Sequence, residues 1–412
     1  MLPRTCNRQP KPVDSASNTT SVPAMPGLML VVPTYASYHC FLRELSEEGV
    51  RRGWRVAVVC DMGVTMGQER DPGREEGIEF IHFDFPRGLQ PLGYLRAARR
   101  LRAILRRMEP TIVHAHFSAA ILATAMAGRG RDAWTTIGTF QGLQFPLAAG
   151  WKKRVYRWAE TFASRRMRGV WVLTEDDLQA LKRSGTTNAH LQRGYGFGCR
   201  FDRFDPKRFG DVERASLREK WRVESEEAVF LFIGRTVDFK GFPLVVRGFR
   251  SFLNRGNKGK LLIVGDRDPL HPTGLRPREE AALDDLPEVV RCGWQRDVVP
   301  FLAIADALVH PSAREGVPVG CMEAIAMGVR LIAADVRGSR ELLALTGQTP
   351  VRPVTPEAIA DELEMVATGK RDGNSGGGTD LDDVREKVDR FAYVREQFRI
   401  YEEVAGEPKA ED

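Results

Sequence analysis

The chain has 412 residues, 42% apolar and 28% charged, with a formal net charge of +6. This is ordinary globular composition at a length that suits two domains with sizeable cores, and the basic bias suits an anionic partner: phosphates, anionic lipid or nucleic acid. No apolar run approaches the ~18–20 residues of a membrane span, and six cysteines scattered without C-x-x-C spacing read as reduced, buried thiols of a cytosolic protein rather than a metal or disulfide framework.

Residues 1–26 are rich in Pro, Ser, Asn and Thr and lack an apolar core. They read as a disordered leader rather than a secretory signal, so the Asn18 sequon carries no weight. From Leu28 short apolar runs alternate with helical stretches. Strands are expected at 28–33, 55–60, 79–83, 111–115, 134–138 and 170–173, with one near 189–193, and a helix over about 39–53. A second series restarts after an aperiodic stretch rich in Gly, Arg and Asp (194–208), with strands at 228–233, 260–264, 289–292, 307–310 and 330–334. Alternating strands and helices imply parallel sheets joined by right-handed crossovers. The expected fold is therefore α/β: two doubly wound Rossmann-like domains, 27–205 and 206–380, facing a central cleft. A flexible loop over 369–379 precedes a last helix over about 381–403, within a 381–412 segment expected to pack back on the first domain.

Two motifs carry chemistry. In Gly234-Arg235-Thr-Val-Asp-Phe-Lys240-Gly241, directly after strand 228–233, the glycines relieve crowding where backbone approaches a ligand. Arg235 offers a planar fork to phosphate oxygens and Lys240 a compact charge. Alone, such a loop is ordinarily just solvated. In Glu315-Gly-Val-Pro-Val-Gly-Cys-Met-Glu323, Glu315 lies in a loop and Glu323 in the first turn of a helix read over 321–327. Two carboxylates suit a polyhydroxyl ligand, because each accepts hydrogen bonds from vicinal hydroxyls, while amides at a helix N-terminus suit phosphate.

Taken with Leu-Ile-Val-Gly-Asp266, with Asp297-Val-Val-Pro-Phe-Leu-Ala-Ile-Ala-Asp-Ala307 and with His310-Pro-Ser-Ala-Arg-Glu-Gly-Val-Pro318, these motifs closely resemble the family 4 retaining glycosyltransferases of the GT-B fold. The likeness is specific over about 228–345 and looser from 28 to 206. It implies that Arg235 and Lys240 clamp the diphosphate of a nucleotide-sugar donor, helped by Gly234. It implies too that Glu315 binds sugar hydroxyls near the anomeric centre and Glu323 the ribose, with backbone around Gly316, Val317, Pro318 and Val319 supporting both. Glu315, Arg235 and Lys240 are the expected catalytic set, with no metal and no cofactor beyond the donor substrate.

The first half departs from the family. Where many relatives read T-x-H-G, this chain has Thr139-Phe-Gln141-Gly142. Glutamine can hydrogen-bond a hydroxyl but cannot carry a proton. Gln141 and the strand-end His116 are the candidates for the acceptor or sugar side. Two basic helices, one with six arginines between Arg96 and Arg107 and one over 151–168 interleaving Trp and Tyr with Lys and Arg, suit an anionic lipid surface. The expected acceptor is thus a polyprenyl- or otherwise lipid-linked glycan precursor of the cell envelope, handled by a cytoplasmic enzyme peripheral to the inner face of the membrane. Nucleic acid is not an expected partner. A nucleotide-sugar 2-epimerase and a catalytically silent nucleotide-sugar-binding relative are the competing readings.

Overall fold

The computed structural model describes residues 25–64, 75–86, 88–128, 132–224, 226–268, 273–369 and 381–406. The leader expected over 1–26, save its last two residues, and the loop expected over 369–379, save Gly369, lie outside them.

Seven parallel strands form the first sheet: β1 (Gly27–Thr34), β2 (Arg55–Asp61), β3 (Ile78–His82), β4 (Ile112–His116), β5 (Thr135–Phe140), β6 (Gly169–Val172) and β7 (Ala189–Leu191), in the order β3-β2-β1-β4-β5-β6-β7. Five more form the second: β8 (Ala228–Ile233), β9 (Gly259–Val264), β10 (Val289–Gly293), β11 (Ala307–His310) and β12 (Arg330–Ala333), in the order β10-β9-β8-β11-β12. The sequence of β1 explains its place. Leu28, Leu30 and Val32 enter one apolar core while Met29 and Val31 enter another, the period-two alternation of a strand covered on both faces. Burying each such side chain stabilises the fold by about 1.5–3 kcal/mol.

Strand order reverses between β1 and β4 in one sheet and between β8 and β11 in the other. Crevices at the carboxyl ends of such strands are where doubly wound folds bind ligands.

Two expected helices are each broken. The first becomes Tyr35–Phe41 and Arg43–Arg51, interrupted at the fully buried Leu42. The last becomes Leu381–Val388 and Arg390–Gly406, because Asp389 makes a parallel bridge with Cys199. That final helix lies on the first domain. Tyr401 hydroxyl is 2.6 Å from His114 Nδ1, Phe398 meets Trp54 edge-on at 5.7 Å, and Arg390 pairs with Glu44 at 2.9 Å. One apolar core runs continuously from β1 through Phe197 and Cys199 to Leu231 and Met322 of the second domain. No disulfide joins the described cysteines, and Cys60, Cys199 and Cys321 are buried.

Candidate active site

The two motifs follow β8 and β11, the strands that flank the reversal in the second sheet. After β8 a single 3-10 turn, Asp238–Lys240, ends at Gly241 with φ 75°. A Cβ on Gly241 would lie 2.4 Å from the Pro311 carbonyl oxygen, so only glycine lets the turn press onto the loop after β11. The loops are stitched at one atom. The Phe239 carbonyl accepts from the Ala313 amide (2.8 Å) and the Ser312 hydroxyl (3.1 Å).

This packing brings Lys240 Nζ to 2.7 Å from Glu315 Oε1. His310 Nε2 reaches the same oxygen at 3.0 Å. Both partners converge on Oε1, and Oε2 has no hydrogen bond among the described residues. Burial by itself would raise the Glu315 carboxyl, but the contacts with His310 and Lys240 outweigh it and hold the group at about 2. A fixed carboxylate with one open oxygen is a hydroxyl acceptor. Arg235 is 47% exposed and donates through NH1 to Asp268 at 2.5 Å, so its remaining N–H groups face solvent. The guanidinium lies 4.9 Å from the Phe239 ring centroid; Arg314 lies 5.0 Å and Lys240 6.0 Å from it, so the ring gathers three cations.

Glu323 corrects the sequence reading. The helix begins at Val319, with Pro318 as its N-cap, so Glu323 is its fifth residue and lies past the first turn. The half-buried carboxylate makes no hydrogen bond or ion pair among the described residues. Burial pushes it up to about 7, against the opposing charges of Arg203 and Arg390. Pro318 has no N–H to offer, which leaves the early amides of this helix and those of Gly316 and Val317 for an anion. Gly234, with φ 149°, closes β8 by donating its N–H to the Val264 carbonyl.

On the first domain the two candidates part company. Gln141 meets the loop after β11: a Cβ on Gly316 would come within 2.5 Å of the Gln141 carbonyl oxygen, and the Gln141 Nε2 is buried without a partner among the described residues. His116 does not open to the cleft. It is fully buried, its ring tilted against those of His114 and Phe197 with centroids 3.9 Å and 6.1 Å away, and both ring nitrogens are unpaired among the described residues. Burial first, then His114, keeps it well below the usual histidine range and therefore neutral. Its position at a strand end suggested exposure; Phe197, from the segment leading into the second domain, covers it.

Two site residues carried no flag in the sequence reading. His310, the last residue of β11 and five before Glu315, stands in a stretch that carries the family resemblance but has no role assigned to it there. Arg337, 9% exposed, donates to the Glu315 carbonyl at 3.1 Å and to the Leu143 carbonyl at 2.8 Å, joining both domains beneath the site. For a metal, the described residues offer one cluster. Asp61, His82 and Asp84, with ligand atoms within 4.8 Å of one another, lie at the carboxyl edge of β2 and β3, outside the donor-side loops. His82 Nδ1 already accepts from the Met62 amide and its Nε2 faces Asp84 at 3.4 Å.

Comparison with known proteins agrees with the fold of two parallel-sheet α/β domains. Residues 40–193 match the family model described as a glycosyl transferase 4-like domain, and residues 227–368 match glycosyl transferases group 1. Among curated relatives, the Escherichia coli UDP-Gal:alpha-D-GlcNAc-diphosphoundecaprenol alpha-1,3-galactosyltransferase is 23% identical over 59% of this chain and 62% of its own length. The Staphylococcus aureus capsular polysaccharide biosynthesis glycosyltransferase CapM is 23% identical over 66% and 71%. The first of these is thus matched over less than two thirds of its length. Among solved structures, a glycosyltransferase from Rickettsia africae superposes with a TM-score of 0.72 at 18% identity, covering 93% of this chain and 100% of that one. Anabaena HepE in complex with UDP-glucose gives 0.70 at 15% identity, over 91% and 99%.

Proposed function

We propose that this chain, which belongs to the family 4 glycosyltransferases and has the GT-B fold, moves a sugar from a nucleotide diphosphate to an acceptor hydroxyl with retention at the anomeric carbon. The observation that carries the reading is the Lys240–Glu315–His310 cluster beside Arg235 at the β8/β11 reversal, with Glu315 Oε2 open.

In this reading the outward N–H groups of Arg235 and the ammonium of Lys240 take the diphosphate, and Glu315 Oε2 accepts a sugar hydroxyl. The unpaired Glu323 carboxylate accepts the ribose hydroxyls, and the amides near Gly316, Val317 and Val319 add donors. The acceptor oxygen forms its bond to the anomeric carbon on the face from which the β-phosphate oxygen departs. A non-bridging phosphate oxygen takes the hydroxyl proton, so Gln141 need only hydrogen-bond the sugar. Preorganised cations stabilise the charge that grows on the departing diphosphate, and the reading requires no metal ion.

Names among the relatives point to the partners: a UDP-sugar as donor and a polyprenyl diphosphate-linked sugar of an envelope glycan as acceptor. The surface supports this. Trp151 and Trp158 on helix Gly150–Arg165 are 64% and 65% exposed, and Leu92 and Leu95 on helix Pro91–Met108 are 68% and 46% exposed. The solvated arginines Arg96, Arg99, Arg106, Arg154 and Arg157 share those helices. Apolar and aromatic groups among arginines suit an anionic membrane surface, and no described helix is long and apolar enough to cross a membrane. Helix Pro91–Met108 is thus only partly core-facing: Leu101 and Leu105 are buried while Leu92 and Leu95 are not. Arg102 is not part of the free surface, because it pairs with Asp132 at 2.8 Å. We place the enzyme in the cytoplasm, peripheral to the membrane's inner face.

A thermal-shift panel of nucleotide diphosphates and nucleotide sugars identifies the donor. Incubation of that donor with a short-chain polyprenyl diphosphate sugar, followed by NMR of the new linkage, tests transfer and retention. An inverted linkage overturns retention. An epimerised donor without acceptor indicates the epimerase, and binding without turnover indicates a silent relative.

A further inference from the structure

We propose that Arg337 is a positioning residue: it fixes the Gln141–Leu143 segment of the first domain against the Glu315–Gly316 backbone of the second. The role rests on the glycosyltransferase reading above.

One guanidinium spends three N–H groups on three anchors. Nε donates to the Glu315 carbonyl (3.1 Å), NH2 to the Leu143 carbonyl (2.8 Å) and NH1 to Asp177 Oδ1. Asp177 is fully buried, and its other oxygen accepts the Leu143 amide at 3.3 Å. The next two amides, Gln144 and Phe145, donate to Glu160, which is 3% exposed and also accepts the Ser118 hydroxyl at 2.6 Å. Three consecutive amides of this loop therefore end on two buried carboxylates, and Arg337 is the cation set against the nearer one. The cross-domain fit is close: the Gln141 carbonyl oxygen lies 2.5 Å from where a Cβ on Gly316 would stand.

A buried ion pair is poor evidence of stability, because desolvation offsets most of its attraction. Its geometry is informative instead. The planar fork of Arg reaches two backbone carbonyls and a carboxylate at fixed angles, which the point charge of Lys cannot do. The carbonyl it holds on one side belongs to Glu315, and the segment it holds on the other carries Gln141. The clasp thus sets the spacing between the proposed donor-sugar contact and the opposite wall, where displacement by about 1 Å can cost about 100-fold in rate.

The test uses full-length Arg337→Lys and Asp177→Asn, the second being isosteric and guarding against a misfolded arginine variant. Three quantities are read: hydrogen exchange at residues 143–145, affinity for uridine diphosphate by calorimetry, and kcat. In both variants the loop amides should exchange about tenfold faster and kcat should fall by about 10- to 100-fold. Uridine diphosphate affinity should stay within about threefold, since Arg235 and Lys240 are untouched. Unchanged exchange and kcat within about twofold in the folded variants would overturn the proposal, as would a parallel loss of nucleotide affinity. A wild-type chain that transfers nothing while its protected amides open in both variants overturns the glycosyltransferase reading and leaves the interdomain clasp standing.

Discussion

The two walls of the cleft are built on opposite plans. The wall after β8 and β11, the proposed donor side, places charged side chains on short loops and lets them meet: Lys240 with Glu315, Arg235 with Asp268. The wall after β4 and β5 hides its polar groups. His116 is fully buried, and the 141–145 loop is held through its own backbone by Asp177 and Glu160. In the proposed reaction one wall supplies charge and the other supplies position.

If that division is right, the largest effect comes from the charged wall. Lys240→Ala should lower kcat/KM for transfer by about 100- to 1,000-fold, the loss typical of one preorganised electrostatic donor. Steady-state kinetics with the identified donor checks it, and a loss below about tenfold would break the division.

Glu315→Gln should be nearly as damaging to turnover and should also alter acid stability. Glu315 titrates at about 2, below its unfolded value, so its stabilising contribution is fully present above the unfolded pKa near 4.5 and is lost as pH falls toward 2. Between pH 6 and pH 3 the wild type should therefore lose more stability than the Gln variant. Urea melts across that range would show it, and parallel curves would refute it.

Glu323 sharpens the comparison, because it is a donor-side group with the electrostatics of a buried one. Its folded pKa, about 7, is raised. Its burial cost is absent below the unfolded pKa, grows as pH rises from there, and is complete above 7. Glu323→Gln should thus stabilise the unliganded chain at pH 8 by about 3 kcal/mol, an order-of-magnitude conversion of that shift. It should also weaken nucleotide binding by about tenfold through the loss of a charged acceptor. Wild-type affinity should fall as pH drops through 7, and calorimetry at pH 6 and pH 8 measures that directly. A pH-independent affinity would remove Glu323 from the ribose.

The smallest effect belongs outside the cleft. Trp151→Ala with Trp158→Ala should reduce cosedimentation with anionic vesicles by about tenfold, since two interfacial aromatics leave the surface. Uridine diphosphate affinity should not change. Equal vesicle binding by wild type and variant would detach these helices from the membrane.

Legibility in the sequence followed the same line. β1 and β8 were readable because continuous Leu, Val, Ile and Phe runs leave few other places for such segments, and Arg235, Lys240, Glu315 and Glu323 because they stand at fixed intervals beside glycines. The break at Leu42 was not readable, since it depends on what Leu42 packs against. The burial of His116 depends on Phe197, some eighty residues later. Arg337 is one of many arginines in this chain; what distinguishes it is contact with Leu143 and Asp177, and no local pattern encodes that. Glu323 falls past the first turn because the helix starts at Val319, two residues before the Cys321 that the apolar pattern marks.

The final helix has a practical consequence. Since Arg390, Phe398 and Tyr401 belong spatially with Glu44, Trp54 and His114, the first domain is assembled from two stretches of chain and the second from one. A chimera that exchanges the donor half therefore needs two junctions, one near residue 205 and one near residue 380. A fusion made at the first junction alone would import a foreign tail onto the surface that Tyr401 occupies. Such hybrids would fail through a mismatched tail even with the loops after β8 and β11 intact.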